Sequence, residues 1–257
     1  MKRCDLFNRT ALLTGTAKLD EFATRNIIIF GVGGVGSWTA ETLVRTGYTN
    51  ITLVDADCVA VSNINRQLPA TSLTVGEVKV DAMRRHLLEI NPDANITAIH
   101  GYYTAETTDN YDLKSYDYIV DAIDSLTDKA LLILKATEAT AATASSARPV
   151  KFYSSMGAAL KLDPSRISVA EFWKVKGCPL AAALRRKFKK SGQFPNKKFQ
   201  CVFSDELVQN HPDAAMLTDT SGALSYHKAS TNGSLMHITA IFGITLASLI
   251  IRDTLKF

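Results

Sequence analysis

Asn26-Ile-Ile-Ile-Phe-Gly-Val-Gly-Gly-Val-Gly36 carries the strongest fold signal in the chain. Residues 27–30 form an unbroken apolar run rich in β-branched side chains, the pattern of a strand buried on both faces of a parallel sheet. The run enters Gly31, Gly33, Gly34 and Gly36, and residues 37–44 continue with helical patterning. Strand, glycine turn and helix together make a phosphate-binding turn, because glycines admit close backbone approach and the helix N-terminus carries partial positive charge. The next apolar run, Ile51-Thr-Leu-Val-Asp55, ends on an acid. Asp55 lies about 20 residues beyond the last glycine, where an acceptor for ribose hydroxyls belongs. The predicted fold class is α/β: a Rossmann-like, doubly wound and mostly parallel sheet.

Composition excludes several classes. A chain of 257 residues can bury a large core. Its 29 Lys and Arg against 25 Asp and Glu leave a net charge of +4, so a nucleic-acid partner has to be argued from local clustering. The four cysteines, Cys4, Cys58, Cys178 and Cys201, contain no Cys-x-x-Cys pair, which disfavours a zinc ribbon and a disulfide framework. The start, Met1-Lys-Arg-Cys-Asp5, has no apolar signal core, so a cytoplasmic location is expected. The apolar segment 238–251 is shorter than a membrane span and is interrupted by Thr239, Thr245 and Ser248. It reads first as a core or dimer-interface helix and second as a peripheral membrane contact.

Residues 1–25 read as a helical lead-in that contains Phe7-Asn-Arg9. After Asp55 and Asp57, residues 59–67 read as a loop at the carboxyl ends of the strands, where doubly wound sheets bind ligands. Asn63 and Arg66 are spaced to share one face of a helical turn, and a planar guanidinium suits phosphate oxygens. Lys79 opens the next helix. A cation there opposes the helix dipole, so it reads equally as a ligand of an anion and as an ordinary surface lysine. Residues 118–121 form another strand, and Asp121 and Asp124 follow at its carboxyl end. Two carboxylates there could hold Mg²⁺ on a nucleotide, or could only cap the following helix.

Residues 150–154 predict a further strand. Residues 158–162 and 166–170, flanking Asp163-Pro-Ser165, predict an antiparallel hairpin that extends the sheet. Residues 174–198 carry nine Lys and Arg and no Asp or Glu, with Phe188 and Phe194 interleaved. A solvated basic face and an anionic partner both fit; the unbroken charge favours a phosphodiester backbone held by Arg185, Arg186, Lys187, Lys189 and Lys190. No residue beside Cys201 announces a lowered pKa, so its role stays open. The chain divides into a nucleotide-binding part, residues 1–170, and a basic and C-terminal helical region, residues 171–257, packed on the same domain.

The series Gly31-x-Gly-Gly-x-Gly36, Val54-Asp-x-Asp57, Ser62-Asn-x-x-Arg-Gln67, Val75-Gly-x-x-Lys79, Ile90-Asn-Pro92 and Asp121-Ala-x-Asp124 resembles the ubiquitin-activating-enzyme-like adenylating superfamily over residues 7–170. That resemblance implies binding of ATP and Mg²⁺ and adenylation of a carboxylate. It assigns the ribose to Asp55, the phosphates to Asn63, Arg66 and Lys79, and the metal to Asp124. Arg66, Lys79 and Asp124 become the catalytic set. Asp57, Gln67 and Asp121 stand in the same cofactor-binding motifs, and Arg9 resembles an arginine that some members extend to the partner subunit's ATP. The superfamily also implies a homodimer.

Six further stretches narrow the resemblance: Gly33-Gly-Val-Gly-Ser-Trp38, Asp121-Ala-Ile-Asp-Ser125, Leu162-Asp-Pro164, Pro179-Leu-Ala-Ala182, Cys201-Val-Phe-Ser204 and Gly233-Ser-Leu235. They resemble the branch that dehydrates threonylcarbamoyladenosine beside the anticodon of tRNA, with sulfur-relay proteins as a further partner class. The alternative within the superfamily is an activator of a ubiquitin-like sulfur-carrier protein, which the missing Cys-x-x-Cys pairs disfavour. A nicotinamide-dependent oxidoreductase shares the glycine turn and Asp55 but gives Arg66, Lys79 and Asp124 no task.

Overall fold

The computed structural model describes residues 3–214 and 232–256; residues 215–231, part of the expected C-terminal region, lie outside the described residues with Met1, Lys2 and Phe257. Three short helices lead in: α1 (Arg3–Leu6), α2 (Asn8–Thr14) and α3 (Thr16–Ala23). Then come β1 (Asn26–Phe30), α4 (Gly36–Thr46), β2 (Asn50–Asp55), α5 (Lys79–Ile90), β3 (Asn95–His100) and β4 (Tyr118–Asp121). The chain continues through α6 (Leu126–Ala142), β5 (Lys151–Ser155), β6 (Ile167–Glu171), α7 (Pro179–Ser191), β7 (Gln200–Ser204) and α8 (Met236–Leu255).

The seven strands form one sheet in the order β3-β2-β1-β4-β5-β7-β6. Every pairing is parallel except β6 with β7. Residues 27–30 are buried because helices cover both faces, which is why the run is apolar rather than alternating. On one face Phe22, Leu43, Met83 and Phe242 pack together; on the other, Ile133, Leu184 and Phe188 do so. The winding runs outward from β1 through β2 to β3, then restarts at β4 on the other side of β1. The crevice between the carboxyl ends of β1 and β4 is therefore the switch point where such sheets bind ligands.

The doubly wound, mostly parallel sheet expected from the sequence is the one observed, but its antiparallel extension pairs differently. Residues 158–162 are not a strand. β6 pairs with β7, Ile167 opposite Ser204 and Glu171 opposite Gln200. Leu160 instead takes φ 58°, clamped by its N–H to the Gly233 carbonyl and by the Val208 N–H to its own carbonyl, both at 3.0 Å.

α8 is the one helix long and apolar enough to cross a membrane among the described residues, yet half of that apolar stretch is buried inside the protein. Its close approach to α4 runs through Gly243, where an added Cβ would sit 2.4 Å from the Val35 carbonyl oxygen. Thr39 Oγ1 donates to the Gly243 carbonyl at 3.1 Å. Gly243→Ala should therefore overpack this contact and destabilise the fold by roughly 1–3 kcal/mol. A thermal melt indistinguishable from wild type would show that α8 can move away freely.

Candidate active site

The glycine turn is built so that side chains are excluded. Gly31 has φ 88°, and a Cβ there would lie 2.6 Å from the Ala122 carbonyl oxygen. At Gly36 it would lie 1.8 Å from the Gly31 carbonyl oxygen. The turn thus brings β1, the start of α4 and the loop after β4 into one backbone cluster. Gly33 faces the side-chain amide of Gln67, and Gly34 packs against Thr239 of α8.

Asp55 closes the other wall. Its Oδ2 accepts the Val32 N–H at 2.7 Å, and its Oδ1 accepts the Asp57 N–H at 2.9 Å and faces Lys79 Nζ at 3.4 Å. Each carboxylate oxygen offers two lone-pair directions, so the second direction of Oδ2 suits a ribose hydroxyl. Lys79 is 3% exposed and also pairs with Asp57 Oδ2 at 2.9 Å. Burial pulls this lysine's pKa down, but the two carboxylates outweigh that and hold it above the ordinary lysine range. An ammonium has three donors; Asp55 and Asp57 take two, and the third suits a phosphate oxygen. The pairing depends on a closed loop: Cys58 bridges Val78, the Val59 N–H reaches the Glu77 carbonyl, and the Lys79 N–H reaches the Asp57 carbonyl.

Asn63, Arg66 and Gln67 sit on a turn laid across the start of α4. Trp38 Nε1 donates to the Arg66 carbonyl at 3.4 Å, and Ser37 Oγ accepts the Leu68 N–H at 3.4 Å. Arg66 Nη1 donates to the Ser62 carbonyl and to Asn65 Oδ1, at 2.8 and 2.9 Å. Asn65 Nδ2 in turn donates to the Ser234 carbonyl at 3.0 Å, so the guanidinium is set before any ligand arrives. Asn63 spends its side-chain oxygen on the Ala60 N–H, so an anion would meet its amide donors. Gln67 is buried, and its Oε1 has no hydrogen-bond partner. An orphaned acceptor beside a phosphate-binding turn fits a ligand that brings its own donors, as a nucleotide does.

Asp121 and Asp124 part company. Asp124 is exposed at the mouth of the crevice. Asp121 is wholly buried, and its carboxylate pairs with Lys129 Nζ at 2.8 Å and accepts Ser154 Oγ at 2.7 Å and the Ile123 N–H at 3.1 Å. Asp121 is thus corrected from a cofactor contact to a positioning group: its carboxylate is wholly buried and bonded to groups inside the protein. Lys129, also fully buried, donates onward to the Ile123 carbonyl at 3.0 Å, which fixes the loop that presents Asp124. Sequence reasoning missed Lys129. The signal was a cation at helical spacing from Leu126, Ile133 and Thr137, a face otherwise without charge. Among the described residues no cluster of three His, Cys, Asp or Glu could hold a metal. One carboxylate at the mouth suits Mg²⁺, which is usually held by one or two carboxylates plus substrate phosphates and water.

Two groups lie elsewhere. Phe7 is buried against Gly47, at the foot of the 11-residue α4, so the exposed Arg9, two residues on, belongs to the end of that helix opposite its own glycine turn. Arg185 is also corrected. Its Nη1 donates to the Phe172 and Val175 carbonyls at 3.1 and 3.0 Å, and its guanidinium lies 5.9 Å from the centre of the Phe172 ring. It braces a turn, whereas Arg186, Lys187, Lys189 and Lys190 are exposed.

Cys201 is fully buried, and burial raises its thiol well above the ordinary range. Cys201→Ala should keep turnover within a few-fold of wild type. Loss of turnover in a variant that melts normally would restore the thiol to the chemistry.

This fold and crevice define a member of the ThiF family, whose pattern matches residues 7–252; the chain belongs to that family. Among its relatives, the tRNA threonylcarbamoyladenosine dehydratase of Bacillus subtilis (strain 168) is 38% identical over 97% of this chain and 94% of the relative. The enzyme of the same name from Escherichia coli (strain K12) is 36% identical over 94% of this chain and 90% of the relative. The solved E. coli tRNA N6-threonylcarbamoyladenosine dehydratase in complex with ATP superimposes with a TM-score of 0.81 at 31% identity, covering 98% of this chain and 95% of that one. The complex of that enzyme with AMP gives 0.80 at 31% identity and the same coverage.

Proposed function

We propose that this chain is an ATP-dependent dehydratase that cyclises threonylcarbamoyladenosine in tRNA, beside the anticodon. The observation that carries the reading is the pre-set crevice, with the glycine turn, the Asp55–Lys79–Asp57 cluster and the tethered Arg66 converging at the switch point. Near full-length similarity to dehydratases of that name supports it.

The chemistry follows from a poor electrophile. The threonyl carboxylate has no leaving group until one of its oxygens attacks the α-phosphorus of ATP, forming an acyl adenylate and releasing pyrophosphate. The ureido nitrogen of the same side chain then attacks the activated carbonyl carbon, loses its proton and expels AMP. The nucleoside has lost one water overall. Intramolecular attack carries a high effective molarity, so the protein needs to supply no nucleophile. Arg66 and the third N–H of Lys79 offset negative charge growing on the phosphate oxygens, and Asp55 orients the ribose. Asp124 would hold Mg²⁺, which when bound neutralises phosphate charge.

In this reading residues 1–170 perform adenylation, and the exposed cations of 171–257 hold tRNA. Two copies work together. Leu12 and Leu13, 74% and 88% exposed on the same helix as Arg9, favour a covered surface there and let Arg9 serve the partner's crevice. The work is placed in the cytoplasm with its tRNA. α8, half buried, lends a membrane contact no support, and the buried Cys178 and Cys201 lend a sulfur-relay partner none; Cys58 is the exposed free thiol among the described residues.

The test is mass spectrometry of nucleosides from tRNA carrying linear threonylcarbamoyladenosine, after incubation with the protein and Mg-ATP. Loss of one water, dependent on ATP and accompanied by AMP, is expected. No mass change, with ATP–pyrophosphate exchange only on adding a ubiquitin-like carrier protein, would overturn it in favour of a carrier activator.

A further inference from the structure

The sheet topology separates the basic segment from the crevice. β6 runs antiparallel to β7, so Glu171 and the turn after it lie at the foot of the sheet, beside Gln200. The chain then climbs to the carboxyl end, where a Cβ on Gly177 would meet the Asp205 carbonyl oxygen at 2.7 Å. α7 starts there, with Leu180 and Cys178 against Gly157 on the crevice rim. Its 13 residues run back down for roughly 20 Å. At the foot Phe188 packs on Phe172, and the Asn196 N–H reaches Thr137 Oγ1, well along α6.

The exposed cations are concentrated toward that foot. Arg186, Lys187, Lys189 and Lys190 occupy the second half of α7, and Lys197 and Lys198 follow in the loop. No Asp or Glu occurs between Glu171 and Asp205. This row of positive charge has one exposed member, Lys176, at the carboxyl end of the sheet and is densest a helix length from it. A reactive adenosine held in the crevice cannot place its neighbouring loop bases there. The backbone that leaves a nucleoside beside the anticodon enters the paired stem within a few nucleotides, and the stem is what spans such a distance.

We infer that the exposed cations of α7 and the 192–198 loop hold the phosphates of duplex RNA, the stem bearing the reactive loop, and do not read the loop itself. The inference rests on the tRNA reading above and names the part of the substrate that this surface takes. An A-form duplex offers its wide, shallow minor groove and flanking phosphates to a convex helix of this kind, without sequence readout. Arg185 is left out of the set because its guanidinium braces the 172–175 turn.

The experiment compares binding of two unmodified RNAs across a salt series: an anticodon stem-loop, and the same loop sequence as an unpaired strand. The protein is the full chain, wild type and the variant Lys187→Ala/Lys190→Ala/Lys197→Ala/Lys198→Ala; all four positions are exposed, and a thermal melt checks folding. Wild type should bind the stem-loop at least about tenfold tighter than the strand, and the variant should lose most of that margin. Its log–log salt slope should be shallower by about three. Equal loss on both RNAs would place the contacts in the loop and overturn the inference. An unchanged slope would remove the surface altogether. Failure of wild type to bind either RNA would strike at the tRNA reading itself, a result distinct from the other two.

Discussion

Arg66→Ala lowers ATP–pyrophosphate exchange by about 100- to 1,000-fold, the usual cost of removing one pre-set donor from a developing anion. The chain stays folded and binds RNA as before. The effect is large because the guanidinium is already organised: Ser62 and Asn65 accept from it at 2.8 and 2.9 Å, and Asn65 is itself held by the Ser234 carbonyl at 3.0 Å, so little reorganisation is left for the reaction. Alanine removes the charge while leaving the turn's backbone bonds to Asn63 intact. Arg66→Lys is expected to recover little, since a point charge cannot reproduce a planar fork already committed at one nitrogen. RNA affinity is spared because the exposed cations lie a helix length away. Exchange within about tenfold of wild type in the alanine variant would remove Arg66 from the chemistry. Loss of RNA binding alongside exchange would mean that crevice and basic surface act as one site.

Lys129→Met destabilises the protein by about 3–5 kcal/mol, because it strands the Asp121 carboxylate, fully buried, without its counter-charge. For a chain of this length that is a fall in melting temperature on the order of 10 °C. Asp121→Asn in the same chain should restore most of the loss. A neutral amide still accepts from Ser154 or Ile123, and no buried charge is left. A double variant that melts no higher than the single one would show that the cost lies in packing rather than in the unpaired charge. Binding of Mg-ATP, followed by calorimetry, should weaken in both variants, because Lys129 also holds the Ile123 carbonyl next to Asp124. Undiminished binding would leave Lys129 a purely structural role.

Much of the fold is legible in short windows. The apolar run 27–30, the glycines after it and Asp55 are each interpretable from their neighbours alone, because a parallel strand buried on both faces admits no polar alternation. Pro179 at the first turn of α7 is legible because a helix start needs no N–H from that residue, and the apolar pattern of α8 because a helix buried in the core carries few charges. The hairpin at 158–170 was misread because β6 could take either neighbour on local pattern. Its partner, β7, begins 29 residues after β6 ends, from Glu171 to Gln200.

The site divides along the same line. Local chemistry was enough to point to a glycine turn suited to phosphate, a carboxylate suited to ribose, a cationic turn at the strand ends and a run of basic charge, since each depends on residue types within a few positions. Tertiary pairing decides which of those groups are engaged inside the protein and which stay exposed. Asp121 and Asp124 look alike in sequence, yet Lys129 and Ser154 consume one and leave the other at the mouth. Arg185 and Arg186 are neighbours, yet two backbone carbonyls ten and thirteen residues away claim the first. The distance from crevice to basic surface exists in no window at all. It arises because β6 runs against β7, and that pairing sends α7 from the rim to the foot of the sheet.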